Sequence, residues 1–380
     1  MRKPTMKISR IELFHISIPF AKPYALSKAY GTLRDAHAVI LKVHTDKGII
    51  GLGEADPMHP FTEETPSTVM TVTRDLIAPH LLGKDPMQIA VLEKTLDRFV
   101  QSNLTARGAV NMALYDILGK TTNLPAHSFL GGLQNASLPL LAGVGSGTPD
   151  EDREAMEEFL EEGCKSFMIK MGALPISDEI VRMIAVRNRF GKEITILVDA
   201  NQGWDLSEAM TFMDGIQAYR PDLIEQPVKR HDLDSLKRIR DRAPCPVSAD
   251  ESLSTVHDGT LLIRERAVDV FSIKVSKNGG LDKSRQIAAV AHAFGLKILM
   301  NSMLEFGITQ AASLQLGCTL PNLLEVGHAY GSVLRMSDDI TDFRKNISNH
   351  TVTVPEGHGL GVTLDEGKLK KYTKEYLDIK

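Results

Sequence analysis

The chain has 380 residues, 43% of them apolar, and a net charge of −4 from 44 basic and 48 acidic side chains. That length predicts two structural units with a sizeable core, and the balanced charge, with no basic block, excludes the footprint of a nucleic-acid or anionic-membrane binder. Cys164, Cys245 and Cys318 are too few and too scattered for a disulfide framework or a thiolate metal site. No apolar run reaches membrane-spanning length and MRKPTMKISRIELF lacks a signal-peptide core, so a reduced cytoplasm is expected.

Residues 1–130 read as a small α+β unit. RIELFHISIPF and AHAVILKVHT alternate like antiparallel strands, and the second runs through DKG into IIGLGEA, a hairpin signal. Helical patterns follow over 68–82, 89–100 and 106–119. From about residue 138 the pattern becomes strand–helix alternation, with strands expected at 138–142, 167–171, 194–199, 223–225, 247–249, 270–275, 297–301 and 323–325. Helical stretches at 178–190, 206–219, 233–242, 281–294 and 309–316 lie among them. Eight strand–helix units over 131–345 is the arithmetic of a (β/α)8 TIM barrel. A doubly wound sheet should show a phosphate-binding glycine turn after an early strand, and neither Gly143–Gly147 nor Gly119-Lys120-Thr121 has the required spacing. The final segment, 346–380, is expected to return to the first unit, through a strand over 349–355 and the GHGLGV turn. The fold class is therefore α/β: a modified barrel capped by an N-terminal α+β domain that the C-terminal segment completes.

Three acidic residues end three successive apolar runs: Asp199 in ITILVDAN, Glu225 in DLIEQP and Asp250 in CPVSADES, 26 and then 25 positions apart. On neighbouring parallel strands all three emerge at the same end of the barrel, where converging carboxylates need a cation and hard oxygen donors favour Mg²⁺. Lys170 in SFMIKMG precedes the trio and Lys274 in VFSIKVSKNGG follows it, so two amines bracket the metal. A single strand-end carboxylate is usually a cap and a single strand lysine usually reaches for solvent; five in consecutive units, in this order, are hard to reach by chance. Burial and a neighbouring divalent cation should lower both lysine pKa values, so that one takes the α-proton of a metal-bound carboxylate and the other returns it.

Through IKMG, DANQGWD, IEQP, ADES, IKVSKNGGL and MLEFGI, over nearly its whole length, the chain resembles the enolase superfamily, in particular the two-lysine subgroup of the mandelate racemase/muconate lactonizing enzyme family. The resemblance implies that Asp199, Glu225 and Asp250 hold Mg²⁺ and that Lys170 and Lys274 are the acid/base pair. Met303 stands where mandelate racemase has a histidine. Glu325, at the expected end of strand eight, matches a position that binds the substrate carboxylate in some relatives. Asn201 and Asn278 are expected as supporting partners of the metal site and Lys274, and Glu305 as a supporting or structural residue. The family usually has Lys-x-Lys on strand two, and here the first position is Met168. Specificity is expected from cap loops 19–31 and 53–66, with Tyr24, His59 and Phe61 as candidate pocket residues.

The function these features imply is a Mg²⁺-dependent isomerase acting on a small carboxylate, foremost a racemase or epimerase. Muconate-type cycloisomerisation is an alternative within the class. A dehydratase using Lys274 or His328 as the acid is an alternative outside it, and a non-catalytic metal-binding scaffold is a third. An even-numbered homo-oligomer is implied by the resemblance.

Overall fold

A computed structural model of the protein describes residues 6–380. Its first layer is a four-stranded antiparallel sheet in the spatial order Thr373–Ile379, Ile8–Ala25, Thr32–Thr45, Ile50–Ala55. Ile11, Leu13, Ile16 and Ile18 of the long first strand are fully buried. The helix Leu104–Thr122 lies against the Ile50–Ala55 strand and is buried on nearly all sides. Gly51 and Gly53 make that approach possible, since a Cβ on either would collide with the carbonyl of Ala113 or Ala109.

The second layer is a curled parallel sheet whose seven strands bond in chain order: Ala142–Val144, Ser166–Lys170, Thr195–Asp199, Leu223–Glu225, Val247–Ala249, Val270–Ile273 and Lys297–Met300. Several intervening helices are fixed at their starts by reciprocal capping boxes, Thr148 with Glu151, Asp205 with Glu208 and Thr255 with Asp258. The ring closes through residues 322–328. Ile298 bridges Leu323, the Leu324 N–H donates to the Ile298 carbonyl at 2.8 Å, and the Leu141 N–H donates to the His328 carbonyl at 2.9 Å.

Leu141, Met168, Leu197, Leu223, Val270 and Leu299 form an apolar plug separate from the main core. Side chains two positions apart on a strand share a face. Lys170, Asp199, Glu225 and Asn301 therefore rise from the plug into the mouth of the barrel, and Asp250 and Lys274 do so beyond Ser248 and Ser272.

Three expected elements differ. The expected strand 138–142 is split: Ser137–Pro139 pairs antiparallel with Thr351–Thr353 in a small separate sheet, and the barrel strand begins at Ala142. No regular eighth strand forms at 323–325; the segment makes only the isolated bridges described above, interrupted by the close approach of Gly327 to Leu140. The strand near 349–355 does not return to the first unit, because its partner is Ser137–Pro139. The returning strand is Thr373–Ile379, while the GHGLGV turn meets the first unit through the Leu360 N–H bonded to Asp116 Oδ1 at 3.0 Å.

Candidate active site

Strand register sets the floor of the site. Lys170 is paired with Asp199, Asp199 with Glu225, and Glu225 with Ser248, so three charged groups stand in one row across neighbouring strands. Asp199, Glu225 and Asp250 are all completely buried. Lys170 Nζ donates to Asp199 Oδ2 at 2.5 Å, and Lys274 Nζ donates to Asp250 Oδ2 at 2.6 Å. Lys277, three residues further on, donates to Asp250 Oδ1 at 2.7 Å. Glu225 accepts from Asn301 Nδ2 at 2.7 Å and from Ser248 Oγ at 3.2 Å.

These neighbours decide the charges. Glu225 is pushed well above the usual carboxylate range by burial and by the charges of Asp199 and Asp250. Burial also opposes ionisation of Asp250, but Lys274 and Lys277 overcome it and hold Asp250 below its ordinary value. Among the protein's own groups the balance at the lysines runs upward. Burial pushes Lys170 and Lys274 down, yet the carboxylates around them push further the other way, and both end above the ordinary lysine value. Only Lys277 is lowered, by burial first and then by Lys274.

Among the described residues no group of three or more His, Cys, Asp or Glu side chains is gathered to hold a metal ion; the carboxylate oxygens are engaged by ammonium, amide and hydroxyl donors. The donor set nevertheless has the chemistry of a hard-cation site. Three buried carboxylates raise one another's cost of ionisation, and two further buried acceptors, Asn201 Oδ1 and Glu251 Oε2, have no hydrogen-bond partner. Such a set fits an oxygen-preferring divalent cation.

The loops that carry these groups are held in unusual backbone. Asn201, Gln202 and Gln226 have φ of +42°, +62° and +34°, values that favour glycine. Gln226 is locked by its side chain, which accepts from the N–H groups of Asp250 at 3.0 Å and Ser252 at 3.1 Å and donates to Val228 O at 3.0 Å. Asn278 accepts from the Lys274 N–H at 2.9 Å and so positions that residue's backbone, not its amine.

The cap loop closes the site from above. Ser27 Oγ donates to Asn201 O at 2.9 Å, the Lys28 N–H to Gly172 O at 2.9 Å, and Tyr30 Oη to Glu251 Oε1 at 2.9 Å. Glu251 is pushed up to about 8 by burial and the nearby charge of Asp250. The Phe61 ring lies 4.1 Å from Lys274 Nζ. Tyr24, Phe61, Met168, Met303 and Arg335 share one cavity with Lys170 and Lys274.

Several candidates lie elsewhere. His59 is exposed and does not line the cavity; Met58 and Phe61 do. Glu325 is also exposed, because its neighbours Leu324 and Val326 pack against the barrel plug and alternation turns Glu325 outward. Glu305 is buried outside the cavity, pushed up to about 7 by burial and Asp56, and accepts from the Met303 N–H at 2.6 Å. His328 is buried and lowered to about 4, with Nδ1 accepting from the Met300 N–H at 3.1 Å. It is a neutral structural group, which removes it as the acid of a dehydratase. Residues not anticipated are Lys277, Asn301, Glu251, Tyr30 and Arg335. Asn301 follows plug residue Leu299 as Asp199 follows Leu197, so alternation alone would have found it.

The enolase C-terminal domain-like family model matches residues 151–368, and the mandelate racemase/muconate lactonizing enzyme N-terminal domain model matches residues 10–131. The chain is 32% identical to a chloromuconate cycloisomerase of Cupriavidus pinatubonensis, over 97% of this chain and 100% of the relative. It is 31% identical to the L-Ala-D/L-Glu epimerase of Bacillus subtilis, over 94% of this chain and 97% of the relative. The crystal structure of N-succinyl Arg/Lys racemase from Bacillus cereus superimposes with a TM-score of 0.94 at 28% identity, covering 98% of this chain and 100% of that one.

Proposed function

Because this chain belongs to the mandelate racemase/muconate lactonizing enzyme family of the enolase superfamily, we propose that it removes and restores the α-proton of a small carboxylate as a racemase or epimerase. Its relatives are cycloisomerases, racemases and epimerases, and the chain is an isomerase. The observation that carries the reading is the placement of Lys170 and Lys274 four strands apart around a mouth whose floor holds Asp199, Glu225 and Asp250. Amines on opposite sides of a bound carbon suit removal of a proton from one face and its delivery to the other.

In this reading Asp199, Glu225 and Asp250 hold Mg²⁺. When bound, the ion would supply positive charge to the substrate carboxylate and draw the three carboxylates from their present partners, which are ammonium groups for Asp199 and Asp250 and Asn301 and Ser248 for Glu225. Lys170 Nζ and Lys274 Nζ exchange the proton with the substrate. Asn278 and Gln226 fix the loops that carry Lys274 and Asp250, and the Tyr30 loop excludes water. Muconate-type cycloisomerisation is the second reading, favoured by the cycloisomerase relative. The reading includes a reduced cytoplasm, supported by three free cysteines, and an even-numbered homo-oligomer, which sedimentation would read.

The test is incubation of a panel of amino-acid derivatives, acid sugars and muconates with protein and Mg²⁺ in D₂O, followed by NMR. Exchange of the α-proton with the carbon skeleton retained is expected, lost with EDTA and restored by Mg²⁺. A lactone instead of exchange selects cycloisomerisation, and activity indifferent to chelation removes the metal role.

A further inference from the structure

Arg335 is a half-buried cation in the wall of the catalytic cavity, and among the described residues it has no carboxylate partner. Its guanidinium carbon lies 4.1 Å from the centre of the Tyr24 ring, and Nη2 donates to the Gly143 carbonyl. Nε and Nη1 bond to no described residue, and neither does the Tyr24 hydroxyl.

The position is built. Arg335 follows a 3-10 turn, Ser332–Leu334, whose first residue donates through Oγ to Glu305 O at 2.6 Å. The Arg335 carbonyl accepts from the Ala21 N–H of the long cap strand at 2.8 Å, and Met336 bridges Phe20 of the same strand. Gly143 leaves the space: a Cβ there would lie 2.6 Å from Arg335 Nη2 and 2.8 Å from Tyr24 Oη. Gly143 is also the register partner of Met168, an inward-facing plug residue, so the guanidinium lies on the inner side of the barrel wall. Around the ring this places Arg335 beyond Lys170, on the side away from Asp199, Glu225 and Asp250. Leu140, Phe159 and Leu334 line the same cavity, and Tyr24 lies near enough to Lys170 to bear on its charge.

We propose that Arg335 and the Tyr24 hydroxyl form a subsite for a second carboxylate of the substrate, beside Lys170 in the same cavity. A guanidinium fork matches a planar carboxylate with two parallel hydrogen bonds, and the stacked Tyr24 ring holds the fork in plane. The substrate class is therefore a diacid, or an amino acid acylated with a group that ends in a carboxylate. This assignment rests on the isomerase reading for which carboxylate reacts, but its binding test does not require turnover.

The probes are N-succinyl-L-norleucine and N-butyryl-L-norleucine, which differ in the terminal carboxylate, titrated calorimetrically with Mg²⁺ present into the unmodified protein, Arg335→Met and Arg335→Lys. The unmodified protein is expected to bind the succinyl compound about 30-fold more tightly, the size of a charge-assisted hydrogen-bonded pair. Arg335→Met should erase that preference and Arg335→Lys should keep part of it, with the urea midpoint of each variant showing that it is folded. Equal binding of the two probes by the unmodified protein, a preference that survives in Arg335→Met, or binding of neither probe overturns the subsite. Exchange in D₂O is read separately. A succinyl preference without α-proton exchange by any acid sinks the isomerase mechanism and leaves the subsite standing, whereas exchange without the preference does the reverse.

Discussion

Lys170 and Lys274 each place an ammonium group against a fully buried carboxylate, so neither is a solvated surface lysine. If they are the two bases, Lys170→Ala and Lys274→Ala should each lower racemisation by about 10²–10⁴-fold, the usual contribution of a positioned acid or base. Exchange in D₂O with each separate enantiomer sharpens this, because removing one base should spare exchange from the face served by the other. Equal loss from both enantiomers in both variants would speak for a structural role. His328 gives a different signature. Burial lowers its imidazole from 6.5 to about 4, so between those values the unfolded chain takes a proton that the folded chain refuses. Stability present above pH 6.5 should fall by about 3 kcal/mol as the pH drops to 4. Urea unfolding of His328→Asn should show a flatter pH dependence across that window, and an equal slope in both proteins would count against it. The residues legible in the sequence were those that obey strand alternation: Asp199, Glu225 and Lys170 each stand two positions beyond a plug residue. Glu325 misled because its register relative to Leu324 and Val326 was unknown. Arg335 was invisible, since a loop residue has no periodicity to betray which cavity it enters.

At the scale of elements, the barrel owes its closure to a segment that is scarcely a strand. Residues 322–328 touch the seventh strand and the residues just before the first through isolated bridges, Ile298 with Leu323 and Leu140 with His328, and the Gly327 N–H donates to Ser166 Oγ at 3.0 Å. Leu140 presses so closely on Gly327 that a Cβ would overlap the Leu140 carbonyl. Gly327→Ala should therefore cost about 1–3 kcal/mol through overpacking, read as a lower urea midpoint with an unchanged slope. A midpoint equal to that of the unmodified protein would show that the closure is slack. The first of the seven regular strands, Ala142–Val144, was expected over 138–142, whereas the other six were readable because each is an apolar run between helical stretches. The eighth and the small Ser137–Pro139 sheet were not, since pairing between 137–139 and 351–353 is decided by tertiary packing.

For the molecule as a whole, function depends on how the cap meets the barrel. Glu54 of the cap accepts from the N–H groups of Phe306, Ile308 and Thr309 at 2.6, 3.1 and 3.0 Å, which seats the cap sheet on the start of the helix Gly307–Gly317. Tyr30 makes the second junction, donating to Glu251 and accepting from Gln202 Nε2 at 2.5 Å. Tyr30→Phe leaves the aromatic contact with Phe61 and removes both hydrogen bonds. It should raise KM about 5–10-fold, with kcat changed less, by loosening the loop over the cavity. A proportionate fall in kcat at constant KM would place Tyr30 in the chemistry itself.

The cap sheet has Thr373–Ile379 as the edge partner of Ile8–Ala25, so everything from 26 to 372 is an excursion between two hydrogen-bonded neighbours. A ribosome making this polypeptide delivers the barrel long before it delivers the last strand of the lid. The nascent chain therefore holds every barrel strand before the edge strand that pairs residue 379 with residue 11 is available to complete the cap sheet.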